Sequence, residues 1–307
     1  MGNNSHIILT NKPKDITSFR SLGSIKRNVD KKVGHAGTLD KFANGLMIVL
    51  SGSTTKLNQL FSTLDKTYIA TIRFGEETST LDTEGEVVAK ADIPSLDVIK
   101  EKIENEFIGE ILQAPPIFSA VHIDGKRAYK MARKNQVVEM PKRAINIYSF
   151  EIISFNDKDL VCKINVSKGT YIRSIARDLA ISCNSRGYLI DLQRVSIGPF
   201  LLEEAVETDT KENIEKGLNK TDEYLKRLNS VSIYKIENKY LFDLANGKKP
   251  SYDYLEADCV KDSAYYAAVY SYDNILRCVL QLDENKKIVK IISQINPCFD
   301  RNIKWKL

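Results

Sequence analysis

The chain has 307 residues, 43% hydrophobic and 28% charged, with a formal net charge of +5. That length can bury a full core, enough for one large domain and a smaller one, while a polar N-terminus and the lack of any long apolar run argue against a signal peptide or a membrane span. Five scattered cysteines (Cys162, Cys183, Cys259, Cys278, Cys298), never spaced C-x-x-C, and three dispersed histidines give neither a disulfide frame nor a transition-metal ligand set, and they fit the reduced thiols of a cytoplasmic protein.

In chain order, residues 6–10 read as a short strand and Asn11-Lys12-Pro13 as a turn. Thr17 or Ser18 is placed to cap a helix running to about residue 28. Then comes Gly34-His35-Ala36-Gly37-Thr38-Leu39-Asp40-Lys41-Phe42-Ala43-Asn44-Gly45-Leu46. Its glycines imply sharp bends or close approach of another segment, and the apolar run from Leu46 to Leu50 implies a buried strand. Asp40 is thus held on a tight loop against a core strand. Two readings follow: an Asx-turn serving nearby backbone N–H groups, or a reactive carboxylate presented by a rigid scaffold.

Residues 54–64 have helical spacing at Leu57, Leu60, Phe61 and Leu64. Residues 66–74 alternate, with Tyr68, Ala70, Ile72 and Phe74 on one strand face. An amphipathic helix is expected over 95–107, a loop and then a basic segment over 113–145, and strands over 147–155 and 160–167. Residues 170–183 carry a helical apolar stripe at Ile172, Ile175, Ala176, Leu179, Ala180 and Cys183, and 187–195 return as a strand. Strands outnumber helices without regular βαβα alternation, which predicts an α+β fold with a mixed or antiparallel sheet. The charged stretch 203–228 reads as a helical link. Strand-like runs at 232–236, 267–270, 277–282 and 288–292 predict a small β-rich unit beyond it.

Charge is unevenly spread. Residues 1–50 hold eight Lys/Arg against three Asp/Glu, and residues 121–143 hold seven against two. Residues 201–307 are balanced, with seventeen against eighteen. The basic segments fit either a phosphate-rich partner or an ordinary solvated face. Arg173 lies in the first turn of its helix, off the apolar stripe, where a cation opposes the helix dipole. It is either an exposed side chain or the partner of an anion, a carboxylate such as Asp40 or a phosphate. Tyr68 and Tyr171 read as packed aromatics or as site residues. His35 reads as a base, a cap or a stacking group.

Together the segments resemble the TruB family of pseudouridine synthases. Gly34 to Leu46 resembles its G-H-x-G-x-L-D-x-x-A-x-G signature, and Asn11-Lys12-Pro13 its [DN]-K-P. Lys66-x-Tyr68, Gly75 and Leu81-Asp82-x-x-Gly85 resemble its K-x-Y…G…D-x-x-G. Gln113-x-Pro115-Pro116-x-Phe118-Ser119-Ala120, then Gly125-x-Arg127-x-Tyr129 and Ala132-Arg133, resemble its Q-x-P-P-x-[YF]-S-A…G-x-x-x-Y-x-x-A-R run. Ser167 to Arg173 resembles S-K-G-T-Y-I-R, and Gly198-Pro199-Phe200 the G-P-F that ends the catalytic domain. All six segments occur in family order over residues 11–200. Asn11 stands where Asp is frequent and Phe118 where Tyr is frequent; neither touches the expected chemistry.

The resemblance implies a mixed-sheet pseudouridine synthase core over 1–229, with an RNA-clamping segment at about 116–144. It implies, through weaker motifs, a PUA-like RNA-binding domain over 230–307. The implied reaction is conversion of uridine to pseudouridine at position 55 in the T-loop of tRNA, by a monomer with no cofactor, metal, membrane or obligatory protein partner. Asp40 matches the catalytic aspartate, Arg173 its paired arginine, and Tyr68 the tyrosine stacking on the flipped-out base. Leu192 matches a leucine beneath that base, and His35 a histidine that helps hold the flipped nucleotide. Lys12, Tyr171, Lys126, Arg127 and Arg133 fall to RNA binding. The alternatives are a guide-RNA-dependent synthase acting on ribosomal RNA and a catalytically silent tRNA-binding or chaperone protein. Bond isomerisation is redox-neutral, which agrees with the missing nucleotide and metal signatures. A carboxylate can serve it as nucleophile or as base.

Overall fold

A computed structural model describes residues 5–119, 122–123, 126–127 and 140–296. The chain opens with β1 (Ile7–Lys12), the short helices α1 (Ser18–Ser21) and α2 (Gly23–Asn28), β2 (Val33–Ala36) and β3 (Asn44–Ser51). A 3-10 turn then leads into α3 (Asn58–Ser62), followed by β4 (Lys66–Phe74), β5 (Glu76–Thr78), β6 (Val87–Lys90), α4 (Leu96–Glu106) and β7 (Gly109–Gln113). The short pair β8 (His122–Ile123) and β9 (Lys126–Arg127) precedes β10 (Arg143–Asn156), β11 (Asp159–Val166), α5 (Ile172–Ser182), β12 (Gly187–Ile197) and β13 (Phe200–Leu201). Helices α6 (Lys211–Lys216) and α7 (Thr221–Arg227) lead into β14 (Val231–Ile236), α8 (Leu241–Ala245), β15 (Leu255–Cys259), β16 (Tyr266–Ser271), β17 (Leu276–Leu282) and β18 (Ile288–Gln294).

The main sheet has nine strands in the order β1-β3-β12-β4-β11-β10-β7, with β2 added to β3 and β13 to β12. Its pairs are antiparallel except where β12 meets β3, at Gln193 beside Asn44 and Arg194 beside Gly45. The second sheet has five strands, β15-β14-β16-β17-β18, with β14 and β16 parallel. The expected α+β class with mixed sheets is what the chain adopts. The continuous apolar run of β3 is explained by burial on both faces. Leu46, Ile48 and Leu50 join one cluster, while Met47 and Val49 join another with Ile25 of α2. Tyr68, Ala70, Ile72 and Phe74 of β4 face α4 and α5, meeting Ile99, Ile103, Ile175 and Leu179.

Two expectations change. Residues 203–228 are not one helix. Thr210 caps α6 by accepting from the Asn213 N–H, and the chain then turns through Asn219 at φ 63° before α7. Residues 255–259 form a fifth strand of the second sheet that periodicity does not reveal, since β15 is an exposed edge without a buried stripe.

Gly45 carries the crossing of β3 and β12. Its φ is +111°, and a Cβ there would lie 2.4 Å from the Arg194 carbonyl oxygen and 2.7 Å from its nitrogen. Gly45→Ala must push two central strands apart. It is expected to cost at least about 2 kcal/mol in urea unfolding; an unchanged midpoint would contradict this close approach.

The 229/230 boundary falls just before β14, yet no apolar gap separates the sheets. Leu9, Ile48, Phe61 and Phe200 share one buried cluster with Val231, Ile233, Ala268 and Val279. The Ser293 hydroxyl donates to the Ser53 carbonyl at 2.8 Å. Removing residues from 230 onward would leave that surface wet. The truncated chain is therefore expected to melt well below the full chain by circular dichroism; equal melting would mean that the second sheet only rests on the first.

Candidate active site

The loop between β2 and β3, with the first residues of β3, is fixed at four points. Gly37 leaves β2 at φ +85°, and its carbonyl accepts from Arg194 Nη2 at 3.0 Å. Leu39 is clasped from both sides by Ser18: its N–H donates to Oγ and its carbonyl accepts from Oγ, each at 2.9 Å. The Lys41 carbonyl accepts from the Asp15 N–H at 2.9 Å. The Leu46 carbonyl accepts from Arg194 Nε at 2.8 Å. Asp40 projects from this pinned loop with its side chain 35% exposed.

Its carboxylate serves a side chain and not an Asx turn. Arg173 Nε donates to Oδ2 at 2.9 Å, and Nη2 donates to Oδ1 at 3.0 Å. Arg173 is 5% exposed. Its remaining donors reach the Thr80 carbonyl at 2.9 Å, the Phe118 carbonyl at 3.2 Å and Asp82 Oδ2 at 3.4 Å. Four hydrogen bonds and one ion pair thus surround the guanidinium, which fixes its plane and, through it, the carboxylate. Of the two readings of the cation in the first turn of α5, the partner of a carboxylate is the one that holds.

Asp82 was visible only as a motif letter, and the sequence gives no sign that it shares Arg173 with Asp40. It is buried. Burial pushes its carboxyl up, opposed by the Thr80 hydroxyl, the Arg173 charge and the Glu84 N–H. The contact spans 91 positions of chain, and no local pattern encodes it.

Asp40 opens onto a cavity of about 500 Å³ whose lining includes Tyr68, Tyr171, Leu192 and Arg173. In the β4–β12 register Leu192 lies opposite Ala70 and Arg194 opposite Tyr68, so Tyr68 and Leu192 sit diagonally on one face. Tyr171 precedes α5. Its N–H donates to Gln113 Oε1 at 2.8 Å, its carbonyl accepts from Gln113 Nε2 at 3.1 Å, and the Arg143 guanidinium lies 4.8 Å from its ring centroid. Ser119 Oγ also lines this cavity and is buried with no hydrogen-bond partner among the described residues.

The structure separates two expected residues from this group. Lys12 is 1% exposed, and its ammonium donates to the carbonyls of Pro13 (2.8 Å), Ile16 (2.7 Å) and Lys41 (3.3 Å). It is therefore a strut beneath the Asp40 loop and not a surface contact for RNA. Burial pulls its ammonium down to about 8. His35 lies on β2 opposite Val49, outside the cavity lining, with Nδ1 buried and unpartnered among the described residues. Burial, reinforced by the Arg194 charge, lowers its basicity and favours neutral imidazole. Arg133 lies outside the described residues, and of Lys126 and Arg127 only their place in β9 is described.

A family model described as TruB family pseudouridylate synthase (N terminal domain) matches residues 26–172. The chain is 44% identical over 262 residues to a protein named tRNA pseudouridine synthase B from Borrelia garinii subsp. bavariensis, covering 84% of this chain and 85% of the relative. The chain belongs to the TruB family. A second relative of that name, from Francisella philomiragia subsp. philomiragia, is 35% identical over 288 residues and covers 93% of this chain and 89% of its own. Among solved structures, that of an H/ACA RNP bound to a substrate RNA containing 2'-deoxyuridine matches with a TM-score of 0.68 at 18% identity, covering 96% of this chain and 86% of that one. That likeness shows the shared fold. Among the described residues of this TruB protein, no helix is long and apolar enough to cross a membrane, and no group of three or more His, Cys, Asp or Glu could hold a metal ion.

Proposed function

We propose that this TruB protein isomerises uridine to pseudouridine at position 55 in the T-loop of tRNA, with Asp40 as the catalytic residue. The observation that carries this is the Asp40 carboxylate, both oxygens held by a buried arginine, at a cavity lined by Tyr68 and Leu192. The name tRNA pseudouridine synthase B borne by the Borrelia and Francisella relatives supports tRNA as the substrate class.

The reaction breaks the bond between ribose C1' and uracil N1, turns the ring, and joins C1' to C5. The C5 proton leaves and N1 gains one, so atoms and electrons balance without an oxidant. Asp40 either attacks the nucleotide or takes a ribose proton; both need it aimed, and the Arg173 fork, gripping both carboxylate oxygens, fixes its orientation. A stacked base cannot reach Asp40, so it flips into the cavity, where Tyr68 offers a ring face and Leu192 an apolar one. Tyr171 and Arg143 stand at the same cavity. We assign His35, Lys126, Arg127 and Arg133 to RNA binding on their motif positions. We assign residues 1–229 to catalysis, with the RNA clamp at about 116–144, and residues 230–307 to a PUA-like RNA-binding role. We take the protein to be a cytoplasmic monomer.

Incubating the purified protein alone with unmodified tRNA and mapping pseudouridine tests this reading. Product at the T-loop uridine is expected. Product only with an added guide RNA would place the protein with guide-dependent synthases, and binding without product would make it a tRNA-binding protein.

A further inference from the structure

Two buried cations in the catalytic cavity make no ion pair among the described residues. Lys66, at the start of β4, is 6% exposed, and Arg194 of β12 is 1% exposed. Both line the cavity that holds Asp40. Lys66 Nζ donates to the Ser62 carbonyl at 2.8 Å and to the Leu64 carbonyl, at the C-terminal end of α3. Arg194 donates to the carbonyls of Leu46 and Gly37. Gly37 brings the two together: a Cβ there would meet Arg194 Nη1 at 3.4 Å and Lys66 Cε at 3.8 Å. Neither side chain makes an ion pair among the described residues. Arg173, in the same cavity, has two carboxylates.

Backbone carbonyls orient these cations without neutralising them. Desolvated positive charge is costly, so a site that keeps two of them is electrostatically incomplete until an anion enters. The proposed substrate brings such an anion next to the base: the phosphodiester of the same nucleotide. We propose that Lys66, backed by Arg194, binds the phosphate flanking the target uridine. This rests on the pseudouridine synthase reading and adds to it the residue that fixes the nucleotide's backbone while its base turns.

The charge state of Lys66 supplies a signature. Burial pulls its ammonium down to about 8; Arg194 and Lys168 act in the same direction, and Asp65 opposes them. The Asp65 carboxylate itself accepts from the Tyr148 hydroxyl at 3.3 Å. A bound phosphate favours the protonated amine. RNA affinity should therefore weaken as pH rises through about 8, when the free protein loses that proton.

The test uses the full chain and a T-arm stem-loop carrying the target uridine, made with native linkages or with one methylphosphonate on either side of it. Lys66→Gln is expected to weaken binding about tenfold, the scale of one charge-assisted contact, and to flatten the salt dependence by about one unit of slope. One of the two neutral linkages should weaken wild-type binding similarly and Lys66→Gln binding no further. Wild-type affinity should fall between about pH 7 and pH 9, whereas Lys66→Arg affinity should not. The inference is overturned if both linkages weaken Lys66→Gln as much as wild type, or if wild-type affinity is flat across that pH range. The linkage and pH measurements on wild type stand even if Lys66→Gln fails to fold. A wild type that makes no pseudouridine in tRNA would overturn the reading beneath. An active wild type indifferent to both linkages would overturn only the assignment of Lys66.

Discussion

An Asp40→Asn protein is expected to bind tRNA and yield no detectable pseudouridine. The substitution removes one charge and almost no volume, and it leaves one oxygen to accept from Arg173. Ser18, Lys12 and Arg194, which pin the loop, are untouched. The fold and the phosphate-contacting surface should therefore persist. What disappears is the ionised oxygen that can attack or take a proton, and an amide does neither at neutral pH. Single-turnover assays at saturating RNA, with binding measured on the same preparation, check this; substantial product would remove Asp40 from the catalytic role.

Arg173→Lys keeps the charge, and a role of simple neutralisation would predict a mild effect. A loss on the order of a hundredfold or more in turnover is expected instead, the scale of removing a positioned electrostatic group. Guanidinium presents five donors in a plane, and here they make four hydrogen bonds and an ion pair with Asp82. Ammonium has three and no fixed plane. Lysine cannot grip both Asp40 oxygens while also serving Asp82 and the carbonyls of Thr80 and Phe118. Some of these groups lose their partner inside the protein, and Asp40 loses its orientation. RNA affinity should change little, since Arg173 spends its donors within the protein. A near-normal rate, or a loss confined to affinity, would mean that Arg173 serves the RNA.

What was legible in the sequence follows from the range of each interaction. The strand at 66–74 and the stripe of the helix beginning near 172 are written in local periodicity, and both appear almost residue for residue. The dipole argument left Arg173 either exposed or paired with an anion, Asp40 or a phosphate, and only the family resemblance singled out Asp40. Local physics cannot decide, because 133 positions separate the pair. The sharing of Arg173 by Asp82 and the threading of Arg194 beneath Gly37 have no local signature. Lys12 misled for the opposite reason: lysine is usually exposed, and nothing near it in sequence announces three carbonyls converging on its ammonium. The stretch 203–228 misled because charge density suggests helix while one asparagine in the left-handed region ends it.

The strand order has a consequence for how the molecule comes into being. β12 sits between β3 and β4, strands made more than a hundred residues earlier, and it brings Leu192 and Arg194 to the cavity. On the ribosome, the early strands must wait with their central seam open until residue 197 has emerged. The apolar cluster they share with the second sheet closes only with Ile295. Such non-local closure is slow and leaves sticky edges exposed meanwhile. Nascent chains stalled before β12 should therefore be protease-sensitive and inactive however complete their catalytic loop, so that competence arrives late in synthesis, all at once.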